Sequence, residues 1–342
     1  MIEIREGGRC PEWDAYVDRA PRATCYHASA WTEIVDRAYR VQTLRVVSRR
    51  CAGAPIRGVL PLFVAPRPFA RYVTTGPFGS YGPVLADHPG AAAELLDAAR
   101  AVTLRSRARY LHIKSLDDGP APDGFARQDL WVRATLPLDG GPGAVWSGMR
   151  KGARAAVRQA KRNGFEPRRG RDELEPFYDV LAENMHRKGS PIYGVPFFRA
   201  LLDAFGPRAD VVTLHEDGRA VAGALTIAFR GVLYVPFASS RAAYFPKRPN
   251  NHLYWEIIES ACASGLPTLD FGSSMRGTST LAFKRHWGAR VEPIASYVYA
   301  RRTSEPDLGP SSAAVQRGVE LWKKLPRGVV DAVGPWVCRF ML

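Results

Sequence analysis

Thr268-Leu-Asp-Phe-Gly-Ser-Ser-Met-Arg-Gly-Thr-Ser-Thr-Leu-Ala-Phe-Lys-Arg-His-Trp-Gly288 decides how this chain is read. Leu269 to Phe271 reads as the end of a strand, and Gly272 to Gly277 as a tight polar loop. Thr278 or Ser279 can cap a short helix that carries Phe283 and Lys284 and stops at Gly288. A strand, a loop and a helix start in this order gather backbone N–H groups and a lysine around one point. That point suits a carbonyl or phosphate oxygen. Acyl transfer needs such a point, because negative charge develops on the carbonyl oxygen in the transition state. Gly272, Ser273, Ser274, Arg276, Gly277 and Thr278 are therefore the candidate donor loop.

Upstream, Ala220 to Phe229 and Val232 to Ala238 flank a turn at Arg230-Gly231 and predict a hairpin. Asn250 or Asn251 can cap a helix that ends at Ser264-Gly265, and Ile294 to Ala300 predicts a last strand. The first half repeats the theme. Trp31 to Tyr39 is a helix, Val41 to Ser48 and Ile56 to Val64 are strands, and a glycine-rich loop runs from Thr74 to Leu85. Helix Gly90 to Ser106 and strands Tyr110 to Ile113 and Trp131 to Leu138 follow. Strands and helices alternating around an antiparallel hairpin indicate a mixed α/β fold. The expected division is a first domain over 1–143, a second over 144–302, and a linker and helical tail over 303–342, the linker at 303–312 and the tail from Ala313 to Leu342. The tail is expected to pack across the domains; the alternative is a membrane-surface helix, which Trp322, Lys323 and Lys324 beside apolar residues would suit.

The 342 residues are 46% hydrophobic and 24% charged, enough for a sizeable core without disulfide staples. The five cysteines are scattered and form no CxxC pair, so neither a zinc site nor a disulfide framework is expected. The N-terminus lacks the apolar run of a signal peptide, and no window is long and apolar enough for a membrane helix; a cytoplasmic protein is expected. No HExxH, GxSxG, Walker or Rossmann pattern occurs, and no metal or resident cofactor is expected. The formal charge of +15 favours a polyanionic partner.

That charge has a candidate address. Val145 to Asn163 predicts one helix. At ~100° per residue, Arg150, Arg154, Arg158 and Lys161 fall in a narrow arc, with Lys151 and Arg162 at its edge. Trp146, Met149, Ala153, Ala156, Val157 and Ala160 face the other way. A solvated face usually mixes signs, and this one holds no acid, so it is a candidate phosphate-binding ridge. Arg241, Lys247 and Arg248 can extend it.

These stretches resemble the Fem (FemABX) family of aminoacyl-tRNA-dependent peptidyltransferases. WSGMRKGARAAVRQAKRNGFE, the hairpin, NNHLYWEIIESACASG and DFGSSMRGTSTLAFKRHWG carry the likeness in the second half. HASAW (His27 to Trp31), LPLF (Leu60 to Phe63) and GSYGPVL (Gly79 to Leu85) carry it in the first. The glycine–threonine loop, the FK…WG ending and the tail LWKKLPRGVVDAVGPWV are most similar to FemAB-like proteins associated with exosortase and exopolysaccharide loci.

The resemblance implies two tandem GNAT-like (acetyltransferase-type) domains and amide formation between an activated aminoacyl or acyl group and an amine. It places Phe283 and Lys284 at the donor site. The family's early lysine has no clear match: Val35, Asp36 and Arg37 stand there. No coiled-coil arm is inserted.

Two donors compete. Acetyltransferases of this fold cradle the CoA pyrophosphate on a glycine loop before a helix. The corresponding stretch, Ser239 to Asn251, has no glycine, and Pro246 and Pro249 remove N–H donors. This favours aminoacyl-tRNA as co-substrate, with acyl-CoA as the alternative. Lys284 and the donor loop would serve the oxyanion, and Asp270, Tyr81 and Tyr234 are candidates for the proton. Asp270 can instead hold its own loop, and Tyr81 can simply pack. A Fem-like fold that binds tRNA or another polyanion without turnover is the reading from a different class. Lys284→Ala is expected to abolish transfer with little loss of fold.

Overall fold

The computed structural model describes residues 1–67, 70–116, 119–300 and 313–340. The sequence-read linker 303–312 lies outside the described residues. Strands are β1 (Ile2–Glu6), β2 (Gln42–Arg49), β3 (Ile56–Arg67), β4 (Ala70–Thr74), β5 (Leu85–Ala86), β6 (Tyr110–Ser115), β7 (Ala126–Pro137), β8 (Glu166–Arg169), β9 (Ala209–Glu216), β10 (Arg219–Phe229), β11 (Val232–Ser240), β12 (Thr268–Met275) and β13 (Arg290–Ala300). Helices are α1 (Pro11–Arg19), α2 (Ser29–Tyr39), α3 (Pro89–Arg105), α4 (Gly141–Gly148), α5 (Lys151–Arg162), α6 (Leu174–Lys188), α7 (Val195–Phe205), α8 (Pro249–Ala263), α9 (Ser279–His286), α10 (Ala313–Lys324) and α11 (Arg327–Cys338).

Two compact units result. The first holds Met1–Trp131 with Pro293–Gly309 and Trp336–Leu342; the second holds Val132–Glu292 with Pro310–Pro335. The sequence predicts a first domain ending at 143 and a second that keeps 293–302. Strand pairing explains the difference: β13 lies antiparallel to β6, from Ala295 opposite Ser115 to Ala300 opposite Tyr110.

In the first unit the strand order is β1-β2-β3-β4-β6-β13, with β5 on β3. Leu44, Val46, Leu60, Leu62, Val73, Leu111 and Ile113 meet Leu95, Ala99 and Val102 of α3 in its core. In the second the order is β7-β12-β11-β10-β9-β8. Its core joins Val212, Leu214, Val221, Leu233 and Leu269 to Leu253, Ile257 and Ile258 of α8. Burial of these alternating strand positions is the main stabilising term.

The β10–β11 hairpin turns at Arg230 (φ 49°) and Gly231 (φ 77°), the left-handed pair that matches strand twist. Helix α8 starts at Pro249 rather than behind an asparagine cap; its first-turn proline needs no N–H partner.

The predicted basic helix 145–163 is two helices. Met149 (ψ 148°) and Arg150 (ψ 145°) are extended between α4 and α5. The Arg150 N–H donates to His286 O at the end of α9, 3.0 Å away, instead of continuing the helix. Arg150 therefore leaves the arc that a single helix assigned to it.

The tail packs on the second unit. α10 lies against α6, Arg327 pairs with Asp179, Val330 is buried, and Gly334 lies against the Ile192 backbone, where a Cβ would stand 3.2 Å from the Ile192 N.

Candidate active site

Strands β11 and β12 are parallel, yet they pair only through Val232–Thr268, Leu233–Leu269 and Tyr234–Asp270. β11 runs on to Ser240 and β12 to Met275, so the ladder ends at Tyr234 and Asp270 while both strands continue, with the Val235 carbonyl still beside Gly272. Parallel strands that lose their pairing leave a wedge at their carboxyl ends, a place where α/β sheets bind ligands. The strand is longer than the sequence suggested. Residues 272–275 are strand, and only the turn at Arg276-Gly277 separates it from α9.

β12 departs from regular geometry at Gly272 (φ 77°). The Gly272 N–H donates to Asp270 Oδ1 at 2.8 Å, and Asp270 Oδ2 accepts from Arg133 Nε at 2.7 Å. Asp270 is 0% exposed. Its carboxylate therefore holds the loop and is itself held by an arginine from β7. Arg133 escaped the sequence reading. Its one signal is a cation inside the apolar run Trp131 to Leu138.

Lys284 reaches back from α9. Its Nζ donates to Gly272 O at 2.9 Å and to Ser273 O at 3.0 Å. Successive carbonyls of a regular strand point to opposite edges, so one ammonium reaching two in a row marks the bulge at Gly272. Each peptide is planar, so fixing both carbonyls also fixes the N–H groups of Ser273 and Ser274. The residue is 4% exposed. Burial pulls the ammonium down to about 8, against the smaller, opposing pull of Asp270. Two of its three N–H groups are spent within the strand. Ser274 Oγ, on the same strand, is buried with no hydrogen-bond partner among the described residues.

Thr278 caps α9: its Oγ1 accepts from the Leu281 N–H at 3.4 Å and donates to Met275 O at 2.8 Å. Phe283 is partly buried against Tyr254 and Trp287, with centroids 5.4 and 6.0 Å away, in a cluster that includes Phe271 and Trp255. Tyr234 is buried beside the last paired rung.

The cations divide sharply. Lys151, Arg158, Lys161 and Arg162 project from α5 into solvent, over buried Ala153, Ala156, Val157 and Ala160. Arg158 lies over the Trp146 ring at 5.5 Å and Lys161 over Trp255 at 6.0 Å. Lys161 also pairs with Glu259 at 3.0 Å. Arg154 closes the end of α4, donating to Ser147 O and Met149 O at 3.1 Å each. Lys247 is bound to both oxygens of Glu216, and Arg248 Nε donates to Gln159 Oε1 at 3.0 Å.

Arg241 corrects the sequence reading. It is 2% exposed, its Nε donates to Ala220 O, and its other nitrogens pair with Glu183 and Asp179. A guanidinium so enclosed has no face for a polyanion.

The first unit has an equivalent pair of parallel strands. β4 and β6 pair through Val73–Leu111 and Thr74–His112. There the chain's own loop takes up the space beyond. Gly82 N–H donates to Lys114 O, Lys114 N–H to Thr75 Oγ1, and Lys114 Nζ to Gly76 O at 2.8 Å. Burial pulls Lys114 down to about 8 as well. His27 pins the same loop: its Nδ1 accepts the Thr24 N–H and its Nε2 donates to Pro83 O, so burial holds it neutral, down to about 4. Its ring occupies the space a Cβ on residue 82 would need, which requires glycine there. Tyr81 is buried in this unit against Tyr26 and, with His27 and Thr75, lines a niche of only about 10 Å³, room for about one water.

Comparison with known proteins places this geometry. Residues 147–285 match the family model described as acetyltransferase (GNAT) domain. The structure of FemX is similar over 86% of this chain and 97% of that one, at 17% identity and a TM-score of 0.66. The C-terminal domain of a putative lysylphosphatidylglycerol synthetase from Agrobacterium fabrum is similar over 91% and 93%, at 12% identity and 0.56. A tandem GNAT protein from the clavulanic acid biosynthesis pathway is similar over 89% and 100%, at 14% identity and 0.52. No curated protein matches. The chain has the Fem-type fold of two tandem GNAT-like domains, with a helical tail.

Proposed function

We propose that this chain, with its Fem-type tandem GNAT-like fold, transfers an aminoacyl group from aminoacyl-tRNA to an amine, with the second unit as the donor site. The observation that carries the reading is the β11–β12 wedge, with Lys284 clamped against its wall. The first unit's matching strands are stitched together by the loop over residues 75–83, which supports giving the donor to the second.

An aminoacyl ester is already activated, so alignment and oxyanion stabilisation suffice. The bulge at Gly272 sets the Ser273 and Ser274 peptides. The Lys284 charge and its remaining N–H favour the developing oxyanion, and Ser274 Oγ offers a hydrogen bond within the same wall. The incoming amine loses its proton on attack; Asp270 is fully engaged with Arg133 and Gly272, so the proton leaves by Tyr234, substrate or water. The name of the lysylphosphatidylglycerol synthetase neighbour supports, by analogy of fold, aminoacyl transfer to a lipid-linked acceptor.

The start of α8 supports tRNA over coenzyme A. Pro249 has no N–H and the Asn251 N–H is spent on Arg248 O, which leaves few donors for a pyrophosphate. The exposed cations of α5, two of them over tryptophan rings, suit a phosphate backbone.

The test is release of deacylated tRNA that depends on added amine, run in parallel with acyl-CoA donors. Amine-dependent release supports the proposal. Turnover with acyl-CoA alone, or a salt-sensitive tRNA complex without turnover, overturns it. A second measurement addresses the ridge. Lys151→Glu with Arg158→Glu is expected to weaken tRNA binding roughly tenfold or more and to flatten the salt dependence by about two phosphate contacts. Filter binding across a salt series reads both. Unchanged affinity would remove α5 from the tRNA path.

A further inference from the structure

Helix α11 is apolar on both sides. Val330, Gly334 and Cys338 face the protein. Gly328, Val329, Ala332, Val333 and Trp336 face solvent, and that stripe contains no charged residue. Trp336 is 63% exposed, and at the end of α10 Leu321 is 66% exposed, with Leu325 exposed between the helices. A helix face of this composition is ordinarily covered by something. Lys323 and Lys324 close α10, a few residues before the apolar stripe; Lys323 pairs with Glu320 at 2.7 Å and Lys324 is exposed.

We propose that the α10–α11 face docks peripherally on an anionic membrane surface. Val329, Val333 and Trp336 would enter the headgroup–acyl boundary, with Lys323 and Lys324 against lipid phosphates. Charge decides between occupants. A second copy brings another chain of net charge +15 to this face, whereas an anionic bilayer is complementary to it. No described helix is long and apolar enough to cross a membrane, so the contact is with the surface. This inference rests on the tail alone and stands or falls independently of the donor.

Flotation of the full chain with vesicles tests it. Binding to vesicles containing roughly one-third phosphatidylglycerol is expected to exceed binding to pure phosphatidylcholine about tenfold at low salt. Val329→Asp with Val333→Asp, both at exposed positions, is expected to lower it roughly tenfold or more, with an unchanged melting curve. Lys323→Glu with Lys324→Glu is expected to erase the anionic preference, each cation being worth roughly fivefold. The proposal is overturned if the native chain ignores anionic vesicles or if the Val329 and Val333 variant binds them equally. It is also overturned if sedimentation shows a native dimer that this variant makes monomeric.

Discussion

Lys284→Met is expected to lower amine-dependent transfer roughly 100-fold or more while leaving the melting temperature within a few degrees. Two opposing terms set the stability. Removing the ammonium strips Gly272 O and Ser273 O of their donor, at roughly 1–3 kcal/mol each. It also removes a desolvated charge, whose fall from 10.5 to about 8 corresponds to about 3 kcal/mol. These largely offset. Lys284→Ala lacks that balance, because it adds a cavity costing roughly 2–5 kcal/mol. The expectation that alanine would spare the fold therefore yields to the observed clamp, and methionine is the cleaner probe.

The pH dependence follows the same logic. Between about pH 8 and 10.5 the unfolded chain keeps a proton at Lys284 that the folded chain has released, so stability rises with pH through that window. Lys114 acts in the same sense. Thermal melts from pH 7 to 10 should show the rise, and Lys284→Met should remove part of it. Retention of more than a tenth of the transfer activity by the methionine variant would reduce Lys284 to a structural clamp.

Arg133→Met should be strongly destabilising. It leaves the carboxylate of Asp270, 0% exposed, without its guanidinium partner. Breaking a buried pair from one side costs roughly 3–5 kcal/mol. For a unit of this size that is a fall of roughly 10 °C in Tm. Adding Asp270→Asn removes the stranded charge and should recover more than half of the loss. Differential scanning calorimetry of the single and double variants measures both. A cost under about 1 kcal/mol for Arg133→Met would mean the pair does not hold the bulge.

The parts of the site legible in the sequence are those governed by near neighbours. Thr278 and Gly288 bracket α9, and Arg230-Gly231 sets the hairpin, because cap and turn chemistry act within a few residues. The break at Met149-Arg150 was not legible. Apolar positions continue at helical spacing on both sides, and the competing hydrogen bond comes from His286 in another helix. Arg133 and Asp270 are 137 residues apart, a distance no local pattern spans. Composition counts arginines without locating them, so Arg241, enclosed by Glu183 and Asp179, reads the same as the exposed Arg158.

The placement of β13 has a consequence for biosynthesis. Its hydrogen bonds to β6 close the first unit's sheet with residues that leave the ribosome only after the second unit's strands have emerged. Until then β6, with Tyr110, Leu111 and Ile113, is paired only to β4 and its other edge is open. Completion of the first unit thus waits until residues 293–300 have been translated, and chaperone engagement should concentrate in that interval.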